Sequence, residues 1–180
     1  MRETNYLKEN RYVLALLKRI DTFQNFSDED LHSFMKLGKL REYNPGEMIV
    51  KKGDTDRWAY FLISGEVKIV RQGETLGILN RGGDLFGEMG VVDGAPRSAT
   101  VWARTKTMVL GVDCSIIGHG KITNDVAFLY TIYRLFAEVL AERLRITTEE
   151  VTKLKSQLEL EKKRERVEKN SDDEDKTLWV

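Results

Sequence analysis

The chain has 180 residues, 41% of them hydrophobic and 32% charged, which is the balance of a soluble globular domain with an appendage and not of a disordered chain. Lys+Arg and Asp+Glu are both 29, so the net charge is zero and the basic excess of a typical nucleic-acid binder is missing. A single cysteine, Cys114, excludes an internal disulfide and a cysteine-rich metal site, and the two histidines, His32 and His119, stand far apart with no ligand spacing around them.

The N-terminal stretch to about Leu37 reads as helical. Its apolar run Val13–Leu17 is too short for a secretory signal and ends at Lys18 and Arg19, while residue 2 is Arg, which removes a myristoylation site. The expected address is the cytoplasm, with no membrane partner. Ser27-Asp28-Glu29-Asp30 has the chemistry of a helix start: the hydroxyl caps free N–H groups and the acids complement the dipole. The helix it opens should bury Leu31, Phe34 and Met35.

Lys39 to Asp113 reads as short strands punctuated by turns. Asn44-Pro45-Gly46 and Lys52-Gly53-Asp54 carry turn residues, Tyr60–Ile63 is an apolar strand that stops at Ser64-Gly65, and Val67 and Ile69 alternate with polar neighbours. Gln72-Gly73 turns the chain into Leu76–Leu79, and the runs Ser98–Ala103 and Thr107–Val112 follow. The expected fold is therefore mainly β with flanking helices, a jelly-roll-like barrel in place of a parallel α/β sheet.

From about Asp125 one long helix is expected. With Tyr130, Ala137, Leu144, Val151 and Leu158 at position a, Val126, Tyr133, Leu140, Thr147 and Leu154 fall at position d, a heptad seam that calls for a partner helix. The alternative is an amphipathic helix folded onto its own barrel, which also suits the first turns; a parallel homodimer suits the distal part. Charged residues dominate beyond Leu160, with Leu178-Trp179-Val180 as an apolar terminus. The expected organisation is 1–124 for helices and barrel, 125–168 for the long helix, and 169–180 for a disordered tail.

The chemistry concentrates in Gly82–Val101. A glycine-rich turn runs into Glu88-Met89-Gly90-Val91, about one helical turn, where free N–H groups can meet an anion and Gly87 permits close backbone approach. Ten residues after Gly87, behind Pro96, Arg97 offers a planar fork suited to phosphate. Glu88, when ionised, only accepts hydrogen bonds and suits sugar hydroxyls. Anion cradle, guanidinium and hydroxyl acceptor together describe a sugar phosphate. The competing reading is an internal Arg97–Glu88 ion pair, which leaves the crowding of glycines in the turn unexplained. No metal cluster and no nucleophile–base pair accompanies these residues, so neither catalysis nor a catalytic cofactor is expected.

The same segment resembles the phosphate-binding cassette of the cyclic-nucleotide-binding domain family, with Phe86-Gly87-Glu88, the short apolar helix Met89–Val92, the loop Asp93–Ala95, and Pro96-Arg97-Ser98-Ala99-Thr100-Val101 in ungapped order. The resemblance extends over about residues 10–150. It implies a double-stranded β-helix barrel with cAMP or cGMP as ligand. Gly87 would offer its N–H, Glu88 would accept from the ribose 2′-hydroxyl, and Arg97 would pair with the cyclic phosphate. Ser98 and Ala99 would add contacts at phosphate or base, Ile69 would pack on the base, and Met89 is grouped with them.

Within the family the chain looks most like the bacterial catabolite activator branch, where two adjacent hydroxyl residues of the dimer helix contact the base. Thr147 and Thr148 occupy the matching places, and on this likeness cAMP is favoured over cGMP. That branch continues into a helix-turn-helix domain, whereas here a charged helix and acidic tail follow, so DNA binding is not expected. The expectation is a stand-alone cyclic-nucleotide sensor that signals through a C-terminal dimer helix to a downstream protein partner not identifiable from sequence. A degenerate, non-binding scaffold and a fragment of a transcription regulator are the alternatives.

Overall fold

The computed structural model describes residues 1–4, 7, 11–115 and 126–177, with side chains described to residue 163 apart from 126–128. Two short helices open the chain after a three-residue strand: β1 (Arg2–Thr4), α1 (Arg11–Leu17), a single 3₁₀ turn at Asp21–Phe23, and α2 (Asp28–Leu37). Ser27 caps α2 through a full capping box, its hydroxyl accepting from the Asp30 N–H while the Asp30 carboxylate accepts from the Ser27 N–H, and the helix buries Leu31, Phe34 and Met35.

The strands β2 (Gly38–Tyr43), β3 (Met48–Val50), β4 (Trp58–Ser64), β5 (Val67–Arg71), β6 (Glu74–Leu79), β7 (Leu85–Phe86), β8 (Thr100–Ala103) and β9 (Thr107–Asp113) follow, with the short helix α3 (Glu88–Val92) between β7 and β8. They form two antiparallel sheets, β1-β2-β9-β4-β7 and β3-β8-β5-β6, the jelly-roll-like arrangement expected. Tyr43, Val50, Tyr60, Leu62, Val67, Phe86, Val101, Ala103 and Val109 fill the space between the sheets. The opposite side of β4 is covered as well: Phe61 meets Phe23 and Phe34, with ring centroids 5.0 and 5.6 Å away. Burial on both faces explains why β4 reads as a continuous apolar run instead of an alternating one.

Strand β1 is a departure from the all-helical N-terminal stretch. Arg2, Glu3 and Thr4 pair with Glu42, Arg41 and Leu40 of β2. Three residues are too few to show a period, and their partners lie more than thirty-five positions along the chain.

The last helix, α4 (Val126–Thr177), runs past residue 168, where the helix was expected to end. Its Glu- and Lys-rich distal sequence has high helical propensity. The chain divides into two compact units, Met1–Phe136 and Ala137–Val180. In the first unit Ile132, Leu135 and Phe136 are buried, whereas Tyr130 and Tyr133 on the expected seam are exposed. In the second unit Leu144, Val151, Leu154 and Leu158 are exposed, as are Ile146 and Leu160. Leu178-Trp179-Val180 lie outside the described residues.

Candidate functional site

Strand β7 pairs with Tyr60 and Phe61 of β4 and delivers the chain to Gly87, the residue that caps α3. Gly87 has φ +82°, a left-handed conformation that glycine adopts without steric cost. A Cβ there would lie 2.8 Å from Arg97 Nη1 and 3.0 Å from the Trp58 carbonyl oxygen, so the glycine also serves close approach. Beyond α3 the Asp93 carboxylate accepts from the Ala95 N–H (2.8 Å), turning the loop toward Arg97. The backbone of Arg97 is then fastened to the β3–β4 connection: its N–H donates to the Asp54 carbonyl (2.8 Å), and its own carbonyl accepts from the Gly53 N–H (2.9 Å).

Arg97 is 4% exposed, and its guanidinium is engaged on both edges. Nη1 donates to the Gly87 carbonyl (2.5 Å) and Nη2 to the Trp58 carbonyl (2.5 Å). On the other edge Nε donates to Asp56 Oδ2 (3.2 Å) and Nη2 to Asp56 Oδ1. Asp56 thus engages the Nε/Nη2 edge of the guanidinium. Sequence reasoning missed Asp56 because it stands 41 positions from Arg97, with nothing local to mark it. Burial alone would raise the Asp56 pKa, but hydrogen bonds from Arg97 and from the Trp58 N–H, with the Arg97 charge, outweigh it and leave the carboxyl below its ordinary range. The carboxylate side chain is 38% exposed against 3% for the arginine, so solvent reaches the pair from the side of Asp56.

Gly87 and Arg97 are therefore in direct contact. Glu88, the first residue of α3, is 1% exposed, and Ala99 is buried, whereas Met89 is 50% exposed and Ser98 is exposed. Ile69 packs against the inter-sheet core from β5. Thr147 and Thr148 belong to the second unit and are exposed on α4. Among the described residues no group of three or more His, Cys, Asp or Glu is placed to hold a metal ion, and no helix is long and apolar enough to cross a membrane.

Residues 40–117, which run from within β2 to beyond β9 and include Asp56, Gly87 and Arg97, match the family model of the cyclic nucleotide-binding domain, and the chain carries a domain of that family. It is similar to a cGMP-dependent protein kinase of Toxoplasma gondii, 31% identical over 76% of this chain and 13% of the kinase. It is likewise similar to a cAMP-dependent protein kinase regulatory subunit of Mycosarcoma maydis, 33% identical over 58% of this chain and 20% of the subunit. Among solved structures it is similar to the catabolite activator protein of Thermus thermophilus, with 28% identity and a TM-score of 0.60 over 74% of this chain and 62% of that one. The chain spans only a fifth or less of the length of those two curated relatives.

Proposed function

We propose that this chain is a cyclic-nucleotide sensor, with cAMP preferred to cGMP, that binds the cyclic phosphate at Arg97 and passes the event to a partner through α4. The observation that carries the reading is a buried arginine paired with a partly exposed carboxylate beside a left-handed glycine cap. An incoming phosphate can take the Nε/Nη2 edge from Asp56, because that edge is the one solvent reaches. Glu88 is the acceptor for ribose hydroxyls, Gly87 supplies an N–H at the cap, and Met89, Ser98, Ala99 and Ile69 line the remainder of the ligand site. Thr147 and Thr148 would contact the base from a dimer helix. The exposed apolar seam Leu144, Val151, Leu154 and Leu158 supports a homodimer through the distal helix, since isolated leucines at heptad spacing have little reason to face water. The protein is a cytoplasmic regulator without catalysis or DNA contact in this reading.

One observation favours a second reading, a non-binding scaffold: Arg97 is already satisfied by Asp56, Gly87 and Trp58. Calorimetric titration with cAMP and cGMP separates the two. The sensor reading expects saturable binding, stronger for cAMP, that Arg97→Lys weakens by about 2 kcal/mol or more through loss of the bidentate fork, measured where a thermal melt shows the variant still folded. Absence of binding by a folded wild type establishes the scaffold.

A further inference from the structure

A chain of polar contacts joins the N-terminal strand to this site. The Glu3 carboxylate accepts from Lys39 Nζ (2.8 Å) and from Arg41 Nε (2.9 Å). The hydrogen bond from Lys39 leads the effects that hold the Glu3 carboxyl below its ordinary range, against the opposing pull of burial. Arg41, with its side chain 13% exposed, lays its guanidinium 4.2 Å from the centroid of the Trp58 ring and donates from Nη1 to the Tyr60 hydroxyl (3.2 Å). Both aromatic residues lead directly to the site. The Trp58 N–H donates to Asp56 Oδ1 (3.0 Å) and its carbonyl accepts from Arg97 Nη2, so Trp58 touches both members of the Arg97–Asp56 pair through its backbone. The Tyr60 ring stacks on Phe86, the residue before Gly87, with centroids 5.2 Å apart and planes 12° from parallel.

We infer that Arg41 is a positioning residue for the phosphate site, acting through Trp58, and that β1 clamps it with Glu3 so that the arrangement with Arg97 on Asp56 is favoured. The inference rests on the nucleotide reading of Arg97 given above. Its physical basis is that a phosphate must take the guanidinium edge from Asp56, and whatever stabilises Trp58 between the two partners stabilises the ligand-free arrangement. A planar cation over the indole face, desolvated and fixed by a carboxylate, does this. A contact that favours one of two states weakens the ligand that favours the other, by the same factor in each direction.

The test is calorimetric titration of the full chain with cAMP and with cGMP, using wild type, Glu3→Gln, Arg41→Lys, Arg41→Ala and the Glu3→Gln/Arg41→Ala double variant, each with a thermal melt. Glu3→Gln and Arg41→Ala are expected to tighten binding by about 5-fold or more. The double variant should bind no more tightly than Arg41→Ala, because the two residues act in series. Arg41→Lys, which keeps the charge but loses the flat face, should fall between. A spectroscopic readout separates positioning from general stability: with Trp102 and Trp179 replaced by phenylalanine, nucleotide should shift the emission of Trp58, and Arg41→Ala should remove that shift. Unchanged affinity in Glu3→Gln, or weaker binding in Arg41→Ala that tracks a lowered melting temperature, overturns the inference while leaving the sensor reading intact. A folded wild type that binds neither nucleotide overturns both.

Discussion

Replacing Gly87 by alanine tests the reason for glycine at the heart of the site. At φ +82° a Cβ costs about 1–2 kcal/mol for the left-handed backbone alone. The added methyl would also sit 3.0 Å from the Trp58 carbonyl and 2.8 Å from Arg97 Nη1, with Tyr60 Cδ2 at 3.4 Å. The carbonyl belongs to a paired strand, and Arg97 is buried and bonded on both edges, so neither can retreat freely. Overpacking of this kind adds about 1–3 kcal/mol. Gly87→Ala should therefore lose about 2–5 kcal/mol of stability in urea unfolding, and its nucleotide affinity should fall because the clash displaces the arginine fork. Gly46→Ala is the matched control: Gly46 has the same φ, +82°, and nothing within 4 Å of its ideal Cβ, so it should lose only about 1–2 kcal/mol. Equal losses in the two variants would refute the close-approach argument, leaving backbone conformation as the whole reason for the glycine.

Asp56 and Cys114 give two further tests. The Asp56 carboxyl titrates below its ordinary value of 3.8 in the folded chain, so the unfolded chain binds more protons in the acid range, and the stability from this group is full above that value and lost as pH falls through the lowered one. Asp56→Asn should flatten the acid limb of a stability–pH profile below about pH 4, and an unaltered limb would show that the pair contributes nothing there. The thiol of Cys114, buried and pushed up to about 12 chiefly by desolvation, should resist iodoacetamide at pH 8 until urea unfolds the chain; labelling of the native protein at the rate of a free thiol would contradict its burial.

The features legible in the sequence are those whose physics is local. The Ser27 capping box spans four residues and forms as read, and α2 buries the three residues at helical spacing that the pattern selected. The turns at Gly46, Gly53, Gly65 and Gly73 all place glycine at positive φ. The short helix between Gly87 and Arg97 was legible for the same reason, and α3 with its loop brings these two residues, ten positions apart, into hydrogen-bond contact. A run such as Tyr60–Ile63 announced a strand but not which of its residues would face the inter-sheet core and which the helices.

Tertiary structure alone decided everything that depends on partners distant in the chain. Glu3 finds Lys39 and Arg41 only after β2 has been placed beside β1, and Arg97 finds Asp56 only after the β3–β4 connection is fastened to its backbone. The long helix makes the same point. Its heptad pattern marks an apolar seam, yet the first turns bury Ile132, Leu135 and Phe136 and leave Tyr130 and Tyr133 exposed. Amphipathic periodicity records how many apolar side chains a helix carries and at what spacing. Which of those side chains are buried depends on what the rest of the chain presents to the helix, and a pattern confined to the helix carries no record of that surface.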